Sequence, residues 1–564
     1  MHSRRYNLQR FSVLLIFVAG SIFISGKLLP ELPLFITDNG NKYIIMRNFA
    51  REAALPIQHP EPALFPRGGF HFQTLANGDI HSFHSWVLPV LAVPFYLIAG
   101  ENGALIPVWL SAIGIILLMS ASKRERFALY ALMLTTPFWL YSVMLWEMVP
   151  SMLAALGGFI LLKRRNMLLA GIIFGLGIWL REELYILGFI AGVLLLCRRQ
   201  WRDALKFACG TAAAVLPLWL INIHIYGHIL GLHGATYALN NRSGEFSILS
   251  ELQGIVFNYY QHLFRFETLP SPAVSLILAI IGAAALILPG FFKITGLKLA
   301  GLTVFTLIDL IFISALYQSG DQSVMDSQLY RCGVTMSLFF TLPLAAGYFI
   351  NLRELLTDRN PHLRFMAQAV LIYIVIIPAM LTRFDIGLTF GARHYMCIMP
   401  MLMILSFRGF AKMRCPVKIR QFFLIVLCAG GIVLQYWGFT TLYRSSHCSA
   451  AFEKQLAAFP EGVAVTDVFF LPEQAPRMFF DKTCLELVDE KQLKLLFNHL
   501  RKNNICEFIL ILGKDGQFRR MSNDVLGKLL AIYPPVKQPE IFFAAPGMPL
   551  FIVHCRKADR SVEK

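Results

Sequence analysis

The segment FSVLLIFVAGSIFISGKLL (11–29) is followed closely by the segment ITDNGNKYIIMRNFA (36–50). The first segment is almost entirely apolar and has about twenty residues, the length that an α-helix needs to cross a bilayer. The second segment is polar and carries Asp38 just beyond that hydrophobic span. An acidic side chain at the lipid–water boundary costs free energy unless it has partners or a function. The two segments together predict a membrane protein with chemistry at the outer membrane face.

Composition divides the chain into two parts. Hydrophobic residues make up 56% of the 564 residues and charged residues 15%, whereas soluble proteins carry about 25% charged residues. Long apolar stretches recur from residue 11 to about residue 442 and then stop. We therefore predict an all-α polytopic membrane domain at 1–442, which includes an outer loop at 30–103 with juxtamembrane helices. The segment 443–564 is predicted to be an extracytoplasmic α/β domain, large enough to bury its own core.

Thirteen hydrophobic stretches are predicted to cross the membrane. They are 11–29, 104–121, 127–146, 148–162, 167–180, 184–197, 205–225, 272–292, 299–317, 332–350, 365–382, 394–410 and 421–442. A further apolar stretch, 86–99, is short and contains Pro89 and Pro94, so we expect it to lie at or re-enter the membrane surface. For 11–29 the alternative is a signal peptide. Its length and the lack of a small-residue cleavage site favour an uncleaved anchor.

The net charge of +17 reflects membrane topology rather than nucleic-acid binding. Nucleic-acid binding needs a contiguous basic face, and here the basic residues form short clusters between hydrophobic stretches, such as those at 123–126, 163–165 and 198–202. With thirteen spans and a cytoplasmic N-terminus, these clusters all lie on the inner side, as the positive-inside rule requires. The same topology places the C-terminal domain outside.

Several charged residues then fall at short outer turns. Glu147 lies between two hydrophobic stretches, and Arg181, Glu182 and Glu183 form another turn, WLREELY (179–185). These turns are so short that the side chains must lie at headgroup depth, where an unpaired charge is costly. Mutual pairing is one interpretation of these residues, and a functional site is the other.

Histidines and cysteines give weaker signals. The first loop contains His59, His71, His81 and His84. Their irregular spacing favours surface positions or hydrogen bonds to a substrate over a metal site. Four cysteines lie in the C-terminal segment, and they suit either two disulfides in any of three pairings or four free thiols. They are Cys448, Cys484, Cys506 and Cys555.

The C-terminal segment alternates strand and helix patterns. Asp467 follows the first strand, where a strand-end turn residue is a better interpretation than a ligand contact. The predicted strands are 462–470, 507–512 and 550–554, and the predicted helices are 491–502 and 525–532.

Four features of the sequence resemble the GT-C superfamily of glycosyltransferases, integral membrane enzymes such as protein O-mannosyltransferases and bacterial aminoarabinose transferases. TDNGNKYIIMRNFA (37–50) is similar to the family's Asp-containing first loop. NGDIHSFHSWVLPVLAVPFYLIAGENG (77–103) is similar to the juxtamembrane helix that closes this loop. Glu147 lies where many relatives have a second acidic residue, and GARHYMCIMPML (391–402) is similar to a late Arg-Tyr-x-x-x-x-Pro segment. Thirteen spans and an external C-terminal domain match the aminoarabinose-transferase layout.

The sequence also departs from the superfamily pattern in two ways. Asn39 follows Asp38, whereas the mannosyltransferase branch has an Asp-Glu pair, and no Asp-x-Asp motif of nucleotide-sugar enzymes occurs here. The resemblance therefore leaves the transferred sugar open.

The resemblance implies sugar transfer from a polyprenyl-phosphate-linked donor to a glycan, lipid or protein acceptor. The reaction would occur at the outer face of the bacterial inner membrane, with the C-terminal domain in the periplasm. Asp38 is expected to be the general base, and no metal is obligatory because the leaving phosphate carries less charge than a nucleotide diphosphate. The residues expected to bind the substrate or its lipid phosphate are Arg181, Arg393, Lys42, His394, Glu147 and Glu182.

Three other functions remain as alternatives. A transporter or flippase for a lipid-linked saccharide would place ionisable groups near the bilayer midplane and often has repeated halves. Here Asp309 is the clear mid-span acid and no repeat is apparent. An O-antigen polymerase or ligase typically lacks the early acidic loop and the globular tail. A scaffold that recruits partners would not need charges at headgroup depth.

Overall fold

The computed structural model describes residues 2–30, 37–66, 72–75, 77–120, 125–232, 248–264, 272–318, 337–380, 392–468, 470–513, 520–545 and 548–558. The chain divides into two compact units. The first unit is Met1–Lys27 with Leu105–Thr441, and the second is Leu28–Ala104 with Leu442–Lys564. The first outer loop therefore groups with the C-terminal segment, whereas the sequence-based division at 442 assigned it to the membrane domain.

The first unit is helical throughout its described residues. Its helices are His2–Phe23 (continued by the π-turn Ile24–Leu28), Ile106–Ser120, Arg126–Thr135, Phe138–Ser142, Met148–Lys163, Met167–Leu180, Glu183–Cys197, Trp201–Tyr226, Ile248–Tyr259 (continued by Tyr260–Phe264), Pro272–Gly290, Thr295–Gln318, Leu338–Thr341, Pro343–Ala345, Ala346–Ile350, Leu352–Leu356, Pro361–Met380, Arg393–Ile398, Met399–Lys412 and Val417–Ala458.

Seven helices within the described ranges are long and apolar enough to cross a membrane, or eight if Val87–Gly103 and Ile106–Ser120 together form one bent span. They make the chain an integral membrane protein. The predicted number of thirteen spans is not confirmed, because four apolar helices are shorter: Arg126–Thr135, Met148–Lys163, Met167–Leu180 and Glu183–Cys197.

Proline residues explain two differences between the predicted spans and the observed helices. The proline ring removes the backbone N–H group that a helical hydrogen bond needs. Pro137 separates Arg126–Thr135 from Phe138–Ser142, and Pro343 interrupts the predicted span 332–350.

Glycines bring two of these helices into backbone contact. A Cβ atom on Gly171 would lie 2.1 Å from the carbonyl oxygen of Phe207, and one on Gly210 would lie 2.2 Å from that of Leu168. The helices Met167–Leu180 and Trp201–Tyr226 therefore pack at a distance that only glycine permits. Small residues at such contacts replace the hydrophobic driving force that is absent between helices in lipid.

The second unit contains a five-stranded sheet and a two-stranded hairpin. The hairpin pairs β1 (Phe72–Thr74) with β2 (Ile80–Ser82). The sheet has the order β4-β3-β5-β7-β6, in which β3 pairs in parallel with β4 and β5, and β7 pairs antiparallel with β5 and β6. Its strands are β3 (Val463–Thr466), β4 (Thr483–Glu486), β5 (Glu507–Gly513), β6 (Glu540–Ala545) and β7 (Met548–Arg556).

Both faces of the central strands are buried. Along β5, Ile509 and Ile511 belong to one hydrophobic core, and Phe508 and Leu510 belong to the other. This alternation follows from the two-residue period of a strand, and continuous apolar runs are typical of parallel strands that are covered on both faces. The second core is covered by the amphipathic helices Glu490–Lys502 and Asn523–Ile532.

The first core explains why the outer loop belongs to this unit. The loop inserts Ile44, Phe65 and Phe72 among the buried residues that cover the sheet. Phe452 and Leu456, near the end of the helix Val417–Ala458, lie in the same core. That helix therefore continues beyond the predicted boundary at 442. The remaining helices of the unit are Thr37–Glu52, Pro62–Leu64, Val87–Gly103, Leu471–Gln474 and Pro476–Asp481.

Most predicted elements of the C-terminal segment match the structure. The three predicted strands correspond to β3, β5 and β7, and both predicted helices are present. Asp467 accepts hydrogen bonds from the backbone N–H groups of Gly513, Arg520 and Met521, which matches its interpretation as a strand-end residue. Cys448, Cys484, Cys506 and Cys555 are free thiols.

Candidate functional site

Asp38 lies in the first turn of the helix Thr37–Glu52, in the second unit. A carboxylate at this position is stabilised by the positive end of the helix dipole. Its side chain is 13% exposed, and its Oδ1 lies 3.6 Å from Nε2 of His84. A carboxylate with a histidine beside it and limited access to water is suited to accept or hold a proton.

The polar residues after Asp38 are buried by the hairpin and the loop that follows the helix. Ser82, on β2, donates a hydrogen bond to Asn41 Oδ1. Asn48 donates to the carbonyl oxygens of Ala54 and Pro56 over 2.8 and 3.0 Å. Lys42 is fully buried one turn after Asp38. The segment TDNGNK (37–42) thus lies in an enclosed polar environment, in which Asn41 is paired with Ser82.

A residue that the sequence did not suggest, Glu473, also belongs to this cluster. It lies in the short helix Leu471–Gln474 and is completely buried. A Cβ atom on Gly40 would lie 1.6 Å from the Glu473 carbonyl oxygen, so the two backbones are in direct contact. Burial, with a further contribution from Asp38, raises the pKa of the Glu473 carboxyl to about 8.

An ion-pair network fixes the helices around this cluster. Arg477 donates to Glu101 and, over 3.2 Å, to Glu453. Tyr43 donates its hydroxyl hydrogen to Glu101 over 2.6 Å. Because Tyr43 and Asp38 lie on the same helix, this network restrains the orientation of the Asp38 helix.

A second polar cluster lies in the first unit, around Glu183. The Arg181 guanidinium donates two hydrogen bonds to the Glu183 carboxylate, one of them over 2.9 Å. Its Nη1 also lies 3.7 Å from Glu147 Oε1. Mutual pairing, one of the two interpretations drawn from the sequence, is therefore present for Arg181 and Glu183.

His394 connects this pair to a second arginine. Arg393 donates its Nε hydrogen to His394 Nε2 over 3.0 Å, so the other ring nitrogen carries the proton. Nδ1 of His394 then donates to Glu183 Oε1 over 2.9 Å. Tyr373 donates to the His394 carbonyl oxygen over 2.8 Å, and the ring of His262 lies perpendicular to the His394 ring at 5.1 Å.

Glu183 is the ionised acid at the centre of this cluster. Burial alone would raise the pKa of Glu183, but Arg181 and then His394 hold it well below the ordinary value. A strongly shifted pKa that results from burial and specific charged partners is typical of functional sites.

The structure groups the predicted residues into two clusters. Asp38 and Lys42 share one helix, whereas Arg181, Glu147, His394 and Arg393 share the hydrogen-bonded and ionic contacts around Glu183. Glu182 lies in the same turn, with its side chain exposed at the surface of the protein. The residues that sequence reasoning missed are Glu473, His262 and Tyr373, together with the central position of Glu183.

The first-loop histidines take separate positions. His59 Nε2 donates to the Cys484 carbonyl oxygen over 2.9 Å, His81 is buried and His84 lies beside Asp38. His71 is outside the described residues. Within the described ranges, no group of three or more His, Cys, Asp or Glu side chains is arranged to hold a metal ion.

Two solved structures align with nearly the whole chain. The crystal structure of ArnT from Cupriavidus metallidurans bound to undecaprenyl phosphate is 13% identical, with 96% of this chain and 98% of that chain covered and a TM-score of 0.48. The apo crystal structure is 12% identical, with 98% of both chains covered and a TM-score of 0.43. No protein-family model and no curated protein matches the chain.

Proposed function

We propose that this protein is a membrane glycosyltransferase that transfers a sugar from a polyprenyl-phosphate-linked donor to an acceptor hydroxyl, with Asp38 as general base. The observation that carries the proposal is the Asp38 carboxylate, enclosed at the start of its helix with His84 Nε2 at 3.6 Å. The resemblance of TDNGNKYIIMRNFA (37–50) to the Asp-containing loop of the GT-C superfamily supports it.

The reaction needs one base and no covalent intermediate. Asp38 takes the proton of the acceptor hydroxyl while the acceptor oxygen forms a bond to the anomeric carbon of the sugar. The bond between that carbon and the phosphate oxygen breaks, and the polyprenyl phosphate leaves with the electron pair. General base catalysis of this kind contributes about 100- to 10,000-fold to the rate.

The second cluster supplies cations for the lipid phosphate. Guanidinium groups bind phosphate in a bidentate manner. We assign the phosphate to Arg181 and Arg393, two guanidinium groups that are linked through Glu183 and His394. His394 holds Arg393 in place through its Nε2. Lys42, Glu147 and Glu182 remain proposed contacts to donor or acceptor.

The proposed setting is the bacterial inner membrane. Basic clusters between the hydrophobic stretches support a cytoplasmic N-terminus and, with it, a periplasmic position for the second unit. The sugar, which is either a hexose or a pentose, depends on the pocket, and the acceptor is a glycan, a lipid or a protein. The proposal requires no metal.

Transport of a lipid-linked saccharide is the second candidate function. Asp309 favours it, because this acid lies in the helix Thr295–Gln318, is buried, and has an Oδ1 atom without a hydrogen-bond partner among the described residues. Buried acids in membrane helices often mark transport pathways.

One reconstitution experiment separates the two functions. The full chain is placed in liposomes with a panel of radiolabelled polyprenyl-phosphate hexoses, pentoses and aminopentoses, together with a bacterial membrane extract as acceptor source. Glycosyl transfer predicts release of free polyprenyl phosphate and label in a new product. Movement of label between leaflets without bond cleavage, abolished by Asp309→Asn, would establish the transporter and overturn the transferase.

A further inference from the structure

The Glu473 carboxylate has no role in the function proposed above, yet its environment is unusual. The side chain is completely buried, and neither carboxylate oxygen accepts a hydrogen bond from any other described residue. Burying a carboxylate in this way is costly when the group is ionised. Such a group either stays protonated or has a function that compensates for the cost.

Backbone packing fixes Glu473 next to the Asp38 helix. The distance of 1.6 Å between a Cβ built on Gly40 and the Glu473 carbonyl oxygen means that the helices Thr37–Glu52 and Leu471–Gln474 touch at this point. Asp38 lies two residues before Gly40, and its charge acts on the Glu473 carboxyl. The contact therefore holds the segment that carries a buried acid against the helix that carries the proposed base, near enough for the Asp38 charge to raise the pKa of the Glu473 carboxyl.

We infer that Asp38 and Glu473 form a carboxylate pair that holds one proton between them in the neutral range, so that Glu473 is a positioning residue for the proposed base. The inference rests on the proposed function for its catalytic meaning, but the pair itself is testable without activity. Two carboxylates that interact closely titrate as a unit, because two adjacent negative charges oppose each other.

Other titratable groups around Glu473 leave this pairing intact. The Cys484 thiol on β4 is in electrostatic contact with Glu473, and burial is the main reason that its pKa is raised. Arg477, which lies in the next helix, Pro476–Asp481, is engaged by Glu101 and Glu453. On the other side of the pair, His84 faces Asp38 and Lys42 lies one helical turn away.

The pair defines the charge of the site through the catalytic cycle. Below pH 8, Glu473 holds its proton and Asp38 carries the negative charge needed of a base. When Asp38 takes the acceptor's proton, the pair holds two protons, and one then returns to water. Above that pH, Glu473 ionises, and repulsion between the two adjacent negative charges moves Asp38 out of its catalytic position.

The first experiment measures the pair through stability. Because the folded chain holds the Glu473 proton more tightly than the unfolded chain, stability falls as pH rises from 4.5 to about 8. Thermal unfolding of the full-length protein in detergent should show this fall for the wild type and for Glu486→Gln, a buried carboxylate of the same sheet. Glu473→Gln should show a smaller decrease that ends near pH 7, because the buried carboxyl of Glu453, whose pKa is raised to about 7, still contributes. Asp38→Asn should move the upper end of the decrease to lower pH, because the charge that raises the pKa of Glu473 is removed. If the decrease in stability with pH is unchanged in either Glu473→Gln or Asp38→Asn, the two residues do not form the proposed pair.

The second experiment measures the catalytic meaning of the pair through donor turnover. Release of polyprenyl phosphate by the wild type should decrease above about pH 8, reaching about a tenfold loss one unit higher. Glu473→Gln should keep its turnover over that range, and an unchanged decrease would remove Glu473 from the positioning role. If no variant and no wild-type sample turns over donor, the proposed function fails, while the unfolding measurement still decides the pair.

Discussion

Gly40 packs against the backbone of Glu473 so closely that a Cβ atom at Gly40 would lie 1.6 Å from the Glu473 carbonyl oxygen. Real Cβ atoms do not approach a backbone oxygen to this distance, and a backbone atom has no rotamer through which to move away. Glycine at this position therefore lets the helix that carries Asp38 rest directly on the C-terminal segment.

Replacing Gly40 with alanine should destabilise the second unit by about 3 kcal/mol, the upper range for overpacking a buried contact. The matched control is Gly527→Ala, since Gly527 also lies in a helix but has open space around it. That change should stabilise by about 0.5–1 kcal/mol, because alanine favours helix. Thermal unfolding of the two variants measures the difference. Equal stability of the two variants would contradict the contact.

His59 should make the second unit sensitive to acid. Burial lowers the pKa of the His59 ring from its ordinary value of 6.5, and the neutral ring donates to Cys484 and accepts from the Glu61 N–H. The unfolded chain then binds more protons than the folded chain, so stability is lost as pH falls below 6.5. The loss amounts to about 1.4 kcal/mol for each unit of pKa difference.

Unfolding followed over pH measures this sensitivity. His59→Gln should reduce the acid-side loss, because its amide still donates to the carbonyl group but does not titrate. His447→Gln, which changes an exposed histidine of the same unit, should leave the loss unchanged. A loss that is the same in all three proteins would assign it to another group.

Glu183→Gln should disrupt the second cluster. The substitution removes the charge that accepts hydrogen bonds from both Arg181 and His394. Removing one partner of a buried ion pair costs about 3–5 kcal/mol, because the other charge stays buried without compensation. The neighbouring change Glu182→Gln, at an accessible side chain, should cost less than about 1 kcal/mol. Chemical unfolding in detergent distinguishes the two, and equal costs would show that Glu183 is not the centre of the cluster.

Arg393→Ala should weaken binding of polyprenyl phosphate by about 10- to 100-fold, since a charge-assisted hydrogen bond contributes about 1.5–3 kcal/mol. Arg393→Lys should bind with intermediate affinity, because lysine keeps the charge but loses the bidentate geometry. Arg420→Ala is the control, because it removes a half-buried arginine outside both clusters, whose Nη1 donates to the Ala411 carbonyl oxygen. Binding is measured with undecaprenyl phosphate in detergent micelles, and wild-type affinity in Arg393→Ala would exclude the assignment.

Hydropathy predicted the long membrane helices well, because a chain in lipid must satisfy its backbone hydrogen bonds within each segment. Helix interruptions at Pro137 and Pro343 were harder to predict, since the stretches around them are equally apolar. In the C-terminal segment the apolar strands β3, β5 and β7 were predicted, but β4 and β6 were not. Strand β4 has four residues, Thr483–Glu486, which are too few to show a period.

The two clusters depend on tertiary contacts that could not be predicted from a single sequence. Asp38 was predictable from its position after a hydrophobic span, whereas Glu473 reaches it only through tertiary packing of a distant segment. In the turn at 181–183, the sequence does not distinguish Glu182 from Glu183. The rotation of the helix Glu183–Cys197 about its axis decides that Glu183 bonds to Arg181 and His394.

Donor turnover by Asp38→Asn tests the central proposal most directly. Asparagine keeps the shape of the side chain but does not accept a proton, so release of polyprenyl phosphate should fall by about 100- to 10,000-fold. Binding of undecaprenyl phosphate should stay within about twofold of the wild type. Asp79→Asn, at an exposed turn of the same loop, should retain full turnover. Wild-type turnover in Asp38→Asn, with membrane expression matched, would contradict the role of Asp38 as the base.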